Sequence, residues 1–341
     1  MNVKISRFDV FTAAEELWKA YFDHADAIQL EIDPENPPLP REKRKALLRS
    51  AFSIPYVNKY IYLALTESGE AGGLASLSAE NQKSPSYQAN KHVCNMNLSV
   101  LEKHRRKGLG TKLLKHLTAE LAARESAVTE FLSPVVLDSG RGFFDRSGGT
   151  VSLQQSENRL YLKDVDWALV EAWAAEGARK NPATTFINTC VIPEADINNF
   201  SEIYTETMNQ QPLGDIAVRI VITPAQIRLH EEHSRADGVE NITIYTREKD
   251  GSVSGLTETG YIKEAGHKVW QMLTGVRASA RGRGLGKVLK ALMLLHIRKA
   301  YPGVKYIATG NADSNAPMLA INSKLGFKKY LPVFLYKLKI K

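Results

Sequence analysis

Two segments of the chain carry residue types at a spacing suited to holding a phosphate-rich ligand. Val100-Leu-Glu-Lys-His-Arg105-Arg106-Lys107-Gly108-Leu109-Gly110 returns as Val276-Arg-Ala-Ser-Ala-Arg281-Gly282-Arg283-Gly284-Leu285-Gly286, offset throughout by 176 residues. In each copy an apolar, strand-like run leads in and a leucine-rich run leads out. The first turn of a helix has backbone N–H groups without intrahelical partners, and the helix dipole places partial positive charge there. A pyrophosphate can lie on those amides provided no Cβ obstructs it. Glycines at 108, 110, 284 and 286 remove the obstruction and tolerate unusual dihedrals. Arg105, Arg106, Lys107, Arg281 and Arg283 add positive charge where the phosphates would sit.

Other phosphate devices do not fit. Neither copy has the G-x-x-x-x-G-K-[ST] spacing of a P-loop, and G-x-G-x-x-G opening a βαβ unit is also absent. After each loop, Leu109, Leu113, Leu114, Leu117 and Leu121, and Leu285, Leu289, Leu292 and Met293, fall on one helical face. Two such units half a chain apart imply two similar domains in tandem.

The repeated segment resembles motif A of the GNAT N-acetyltransferase superfamily, (Q/R)-x-x-G-x-(G/A), whose amides hold the pyrophosphate of acetyl-coenzyme A. Asn311-Ala-Asp-Ser-Asn315-Ala-Pro-Met-Leu-Ala-Ile-Asn322-Ser-Lys-Leu-Gly326-Phe327 is similar to the segment that closes the other side of the coenzyme cleft. Gln271-Met-Leu-Thr-Gly-Val276 and Met208-Asn-Gln-Gln-Pro-Leu-Gly214-Asp215 are similar to the tandem subgroup that includes mycothiol synthase. The likeness spans nearly the whole chain in domain pattern and is specific in motif from about 255 to 327. It implies an α/β (α+β) fold of two tandem GNAT-like domains, each a mixed, mainly antiparallel central sheet flanked by helices. It also implies acetyl-CoA as acyl donor, no metal, and a small-molecule amine as acceptor. The coenzyme contacts it implies are Val100 and Arg105 to Gly110 in the first half, and Val276, Arg281 to Gly286, Asn315 and Asn322 in the second.

Composition agrees with such a protein. A chain of 341 residues suits two domains of about 150 to 180 residues. Its 43% hydrophobic and 24% charged content is that of a water-soluble globular chain. No apolar run is long enough to span a membrane, and the N-terminus lacks a signal-peptide core, so cytoplasmic localisation is expected. Cys94 and Cys190 give neither a disulfide framework nor a metal spacing. The net charge of +8 raises the question of nucleic-acid binding, but many of the basic residues lie in the two loops or on exposed faces. Without a nucleic-acid fold or stacking motif, none is expected. The oligomeric state is left open.

Periodicity places strands at 2–10, 59–66, 72–79, 91–101, 129–136 and 158–163 in the first half, with helices at 12–24, 40–52, 108–124 and 139–147. The second half repeats the pattern with strands at 184–191, 241–248, 252–262, 268–277, 304–309 and onward to 339. Its helices are at 194–209, 223–235, 284–300 and 313–325. The expected division is an N-terminal domain at 1–165, a linker helix at 166–182 and a C-terminal domain at 183–341.

The halves differ at the closing segment. Opposite Asn315 and Asn322 the first half has Leu137 and Phe144, and Leu-Gly-Phe becomes Ser-Gly-Gly. The first domain is therefore expected to be auxiliary, keeping little beyond its phosphate loop, and the second to be catalytic by direct transfer. Transfer to an amine requires a base. The family positions for it, on the fourth strand, hold Met272 and Trp270, with Met96 and Cys94 in the first half. If strands 252–262 and 268–277 form a hairpin, residue numbers across it sum to about 530, and Glu258 faces Met272 beside the expected thioester. Glu258 is the candidate base, acting directly or through water. Tyr330 and Tyr336 are weaker candidates to protonate the thiolate; His267 and His296 read as turn and surface residues. Gln210, Gln211 and Asp215, with Glu31, Asp33 and Glu35 in the first half, suit a cationic, polyhydroxylated or peptide-like amine. The alternative is a non-catalytic coenzyme-A sensor or interaction protein built from two GNAT-like domains.

Overall fold

The computed structural model describes residues 2–340. The chain forms two compact units, and they do not follow chain order. Unit 1 comprises Met1–Leu153, Gly214–Val218 and Val333–Lys341; unit 2 comprises Gln154–Leu213 and Arg219–Pro332. Among the described residues, no helix is long and apolar enough to cross a membrane.

Unit 1 is built from β1 (Lys4–Phe8), α1 (Glu15–Ile32), α2 (Arg41–Phe52), β2 (Val57–Leu65), β3 (Ala71–Glu80), a single turn α3 (Tyr87–Asn90), β4 (Val93–Val100), α4 (Leu109–Arg124), β5 (Glu130–Val135) and α5 (Asp138–Arg146). Then come β6 (Thr150–Tyr161), α6 (Trp167–Lys180), β7 (Thr185–Thr189), α7 (Ile197–Asn209), α8 (Pro224–Ala236), β8 (Val239–Arg247), β9 (Val253–Ile262), β10 (Lys268–Val276), α9 (Leu285–Ala300), β11 (Tyr306–Ala312), α10 (Ala316–Leu325) and β12 (Lys328–Lys339). Helix α1 runs eight residues past its expected end, because nothing before Asp33 breaks it.

In each unit four antiparallel strands lead into one parallel pair. Unit 1 has the order β1-β2-β3-β4-β5-β12, and unit 2 has β6-β11-β10-β9-β8-β7. The last strand of each sheet comes from the other half of the sequence. Phe334 to Lys339 of β12 pair antiparallel with Val135 to Glu130, and Gln155 to Tyr161 of β6 pair antiparallel with Ala312 to Tyr306. The expectation that 158–163 completes the first sheet and 328–339 the second is therefore reversed. Alternation identifies a strand and its buried face; it does not say which edge receives it. Tyr336 and Leu338 bury in the core of unit 1 with Leu113, Leu117 and Phe131. Leu160 buries with Leu289 and Ile307 in the core of unit 2.

The segment expected as a linker helix, α6, belongs to that second core. Val170 and Trp173 pack in it, and a Cβ on Gly177 would come within 2.3 Å of Val288 Cγ1 on α9. Only glycine permits that approach of the two helices. In α4, Leu109, Leu113, Leu117 and Leu121 are buried at four-residue spacing, which fixes the helix over β3 and β4. Each such leucine contributes roughly 1.5–3 kcal/mol, so the Arg105–Gly108 loop is mounted on a well-anchored helix.

Candidate functional site

The parallel strands part soon after they meet. β4 and β5 pair only from Val93/Glu130 to Asn95/Leu132, and β10 and β11 only from Lys268/Tyr306 to Trp270/Ala308. Beyond these points each sheet opens into a wedge, and the repeated loop stands at its mouth. Gly108 caps α4 at φ 78°, and Gly284 caps α9 at φ 79°. Both adopt the left-handed conformation that glycine adopts freely. A Cβ at either position would meet no protein atom within 4 Å. Each position also lines a cavity, so an added side chain would fill ligand space above the helix amides. The chain thus fits a pyrophosphate at both helix starts.

Gly110 and Gly286 act differently from expectation. Their Cβ atoms would lie 3.2 Å from Phe143 on α5 and 3.4 Å from Ile321 on α10. These glycines admit the closing helix as well as lining the two cavities. The loop demands a second left-handed residue, met by Gly282 at φ 82° in one copy and by Arg106 at φ 60° in the other.

The cavity in unit 1, about 860 Å³, runs from Arg105, Arg106, Gly108, Leu109 and Gly110 along Asn97 to Val100 of β4 and Ser133 to Leu137, and is walled by Phe143 and Phe144. The cavity in unit 2, about 570 Å³, is lined by Thr274 to Val276, Arg281, Gly282, Gly284 to Gly286, Ser314, Asn315 and Ile321. The first half therefore keeps a full cleft, contrary to the expectation from Leu137 and Ser-Gly-Gly. Helix α5 supplies its wall through aromatic rings that carry no motif signature.

Several expected contacts lie elsewhere. Lys107 lines neither cavity; its Nζ donates to the carbonyl of Lys103 at 2.8 Å. The Arg283 guanidinium is turned away, bound to Glu248 at 3.0 Å, to Asn181 at 3.0 Å and to Thr184 at 2.6 Å. Asn315 does line the second cavity and also caps α10 by accepting from the N–H of Met318. Asn322 is buried; its Nδ2 donates to Asn311 Oδ1 at 2.8 Å while its own Oδ1 finds no partner. It does not line the cavity. Tyr336, a thiolate-donor candidate for the second half, sits in the core of unit 1 and donates to Asp145 at 2.8 Å. Asp215 lies in unit 1, paired with Lys337 at 2.5 Å, whereas Gln210 and Gln211 do line the second cavity.

The hairpin register around Glu258 follows expectation up to a bulge. Trp270 pairs with Gly260 and Gln271 with Thr259; the register then shifts before Thr274 pairs with Thr257, so Met272 and Leu273 lie opposite Glu258. The bulge lies at the point where β10 leaves β11. In unit 1 the equivalent ladder has no shift, and Ser76 occupies the place of Glu258. The Glu258 carboxylate is 6% exposed, accepting from Tyr204 Oη at 2.8 Å and from Thr243 Oγ1 at 3.3 Å. Burial pushes its pKa up, only partly offset by those two hydrogen bonds. It does not line the cavity, so the geometry favours no direct contact with a ligand there.

Sequence reasoning missed Ser99 and His24. The His24 ring, on α1, is buried; Nδ1 lies 2.8 Å from the carbonyl of Ala71, and Nε2 lies 2.7 Å from Ser99 Oγ. With Nδ1 donating to the carbonyl, Nε2 accepts from Ser99, whose residue lines the first cavity. A histidine facing a residue 75 positions away in sequence leaves no local pattern.

The Acetyltransferase (GNAT) family model matches residues 14–142. A tandem GNAT protein from the clavulanic acid biosynthesis pathway superposes with TM-score 0.77 at 18% identity, covering 100% of this chain and 99% of that one. The first half carries a GNAT acetyltransferase domain, and the chain has a tandem GNAT fold. A GCN5-related N-acetyltransferase from Sphaerobacter thermophilus gives TM-score 0.67 at 17% identity, with 99% and 96% of the chains covered. Saccharomyces cerevisiae N-myristoyltransferase with bound myristoyl-CoA gives 0.56 at 12%, with 98% and 78% covered. No curated protein matches by sequence. The family-model match supports acyl transfer as the general activity, and the solved structures show the shared fold.

Proposed function

We propose that this tandem GNAT protein is an acetyl-CoA-dependent N-acetyltransferase of small amines, with a coenzyme site in each unit and chemistry in unit 2. The observation that carries the reading is the pair of left-handed glycine caps, Gly108 and Gly284, each opening onto a cavity where parallel strands part. Backbone amides at the starts of α4 and α9 would hold the pyrophosphate, with Arg105, Arg106 and Arg281 beside it. Acetyl-coenzyme A supplies the thioester that donates the acyl group.

Unit 2 is favoured for catalysis because a carboxylate of raised proton affinity lies opposite the β10 bulge, where unit 1 has Ser76. A carboxylate whose proton affinity is raised by burial is a better acceptor for an ammonium proton than a solvated one. Glu258 is enclosed, so the proton would reach it through the Tyr204 hydroxyl or a water. The larger cavity and the family-model match lie in unit 1, which supports coenzyme binding there as well.

The test is coenzyme release from the full chain with a panel of amines. Gly284→Val places a β-branched side chain over the amides and should abolish turnover, while Gly108→Val should lower it less. Unchanged turnover in Gly284→Val refutes the assignment. Glu258→Gln should lower kcat on the order of a hundredfold with little effect on coenzyme affinity. Wild-type kinetics in that variant removes Glu258 from the mechanism.

A further inference from the structure

The two loops share a backbone and differ in the partner given to their leading arginine. In unit 1, Arg105 Nε donates to the carbonyl of Val100 at 2.9 Å, and its two terminal nitrogens grip Glu31 at 2.7 and 2.5 Å. Glu31 stands in the last turn of α1, and the fork is the geometry a phosphate would use. In unit 2 the arginine at the matching position, Arg281, donates to Gln210 Oε1 at 2.6 Å. Gln210 caps the C-terminus of α7, the counterpart of α1. Among the described residues Arg281 forms no ion pair. Behind Gln210, Glu206 accepts from Gln210 Nε2 at 2.8 Å and from the amide of Ala278 at 2.7 Å, and faces Arg277 at 3.7 Å. Both Arg105 and Arg281 line their cavities.

We propose that Glu31 and Gln210 set the coenzyme affinities of the two units. Glu31 occupies the phosphate-binding fork of Arg105 and must be displaced, whereas Gln210 orients Arg281 and leaves its charge for the ligand. The proposal rests on the coenzyme reading above. Glu31 acts as an internal competitor: on entry of a phosphate its carboxylate loses the guanidinium and remains nearby as a like charge. Gln210 imposes neither cost. Unit 1 then binds coenzyme more weakly than the size of its cavity implies and loses less affinity as salt is raised, and unit 2 binds more tightly. Both residues are positioning residues: they act on the ligand through an arginine.

The experiment is a reciprocal exchange in the full chain. Acetyl-coenzyme A is titrated calorimetrically into Gly284→Val protein, with and without Glu31→Gln, and into Gly108→Val protein, with and without Gln210→Glu. Glu31→Gln should tighten the first site about tenfold and Gln210→Glu should loosen the second by a similar factor, as expected for one unit charge near a phosphate at the protein surface. Both differences should shrink as salt is raised, which a purely structural role would not produce. Unchanged Kd in both exchanges, shifts in the same direction, or differences indifferent to salt overturn the proposal while leaving the coenzyme reading intact. No binding to either protein before the exchange overturns both.

Discussion

Removing the Tyr336 side chain should loosen unit 1 and spare unit 2, although the residue lies five positions from the C-terminus. Tyr336 is 2% exposed, packs its ring at a tilt against Phe144 with centroids 5.2 Å apart and donates to Asp145 at 2.8 Å. Its strand pairs with Val135 to Glu130, and Leu338 beside it is also buried. Truncating a large aromatic in such a site costs about 3–5 kcal/mol, and Tyr336→Phe, losing the hydrogen bond alone, about 1 kcal/mol. Hydrogen exchange read by mass spectrometry resolves the units. In Tyr336→Ala, peptides holding Leu113 and Phe131 should exchange about a hundred- to a thousandfold faster, as that loss of opening free energy requires. Peptides holding Met293 and Ile307 should keep their protection. The reverse pattern would mean that the C-terminal strand belongs to the sheet of its own half, and the strand exchange would be refuted.

Arg106 holds φ 60° where the second loop has Gly282. Arg106→Gly should relieve a strain of about 1 kcal/mol, raising the melting temperature of unit 1 slightly. Binding of acetyl-coenzyme A to that unit should weaken about tenfold with the lost charge; a variant both less stable and unaltered in binding contradicts the account. Glu258 has its pKa raised by burial, so its contribution to stability is full below the pKa of the unfolded chain and is lost as pH rises from there through the folded value. Glu258→Gln, which can accept from Tyr204 and still meet Thr243, should therefore melt near the wild type at about pH 4 and above it at about pH 8. A variant that melts below the wild type at the higher pH would show that the carboxylate is charged and well solvated in the fold.

The loops, their glycine caps and the helices after them were legible because the signal is local: Gly284 precedes a four-residue rhythm of apolar residues, Leu285, Leu289, Met293 and Ile297, that the structure buries. The register near Glu258 was legible up to Gln271 for the same reason, since a tight hairpin fixes residue sums. The bulge after it was not, because Met272 and Leu273 differ little in character and only the parting of β10 from β11 makes room for an extra residue. Strand partnership was not legible either. Lys337 and Leu338 alternate as an outer strand should, and any open edge with a matching apolar row satisfies that alternation. The first cleft was underestimated because position-by-position comparison weighed Leu137 as a lost amide. Phe143 and Phe144 rebuild the wall by packing, which requires no fixed residue type.

A device made of backbone amides can persist through large changes of sequence, because side chains neither form it nor need to be kept for it. Both loops show this: one runs Arg105-Arg106-Lys107 and the other Arg281-Gly282-Arg283, yet both turn through left-handed residues at matching positions. What diverges is the commitment of the surrounding side chains. Arg105 answers to Glu31 and Arg281 to Gln210; Ser99 is held by His24, where Gly275 stands so close to Thr207 that a Cβ would lie 2.4 Å from it; Ser76 stands where Glu258 does. On the proposed reading, these differences give unit 1 a competing carboxylate and no counterpart of the candidate base Glu258, and unit 2 the opposite. Charge and proton affinity therefore point to the same division between the units, although cavity size alone points the other way. Electrostatic terms of about 1–3 kcal/mol outweigh spare volume, because an open cleft contributes nothing to affinity until something in it is bound.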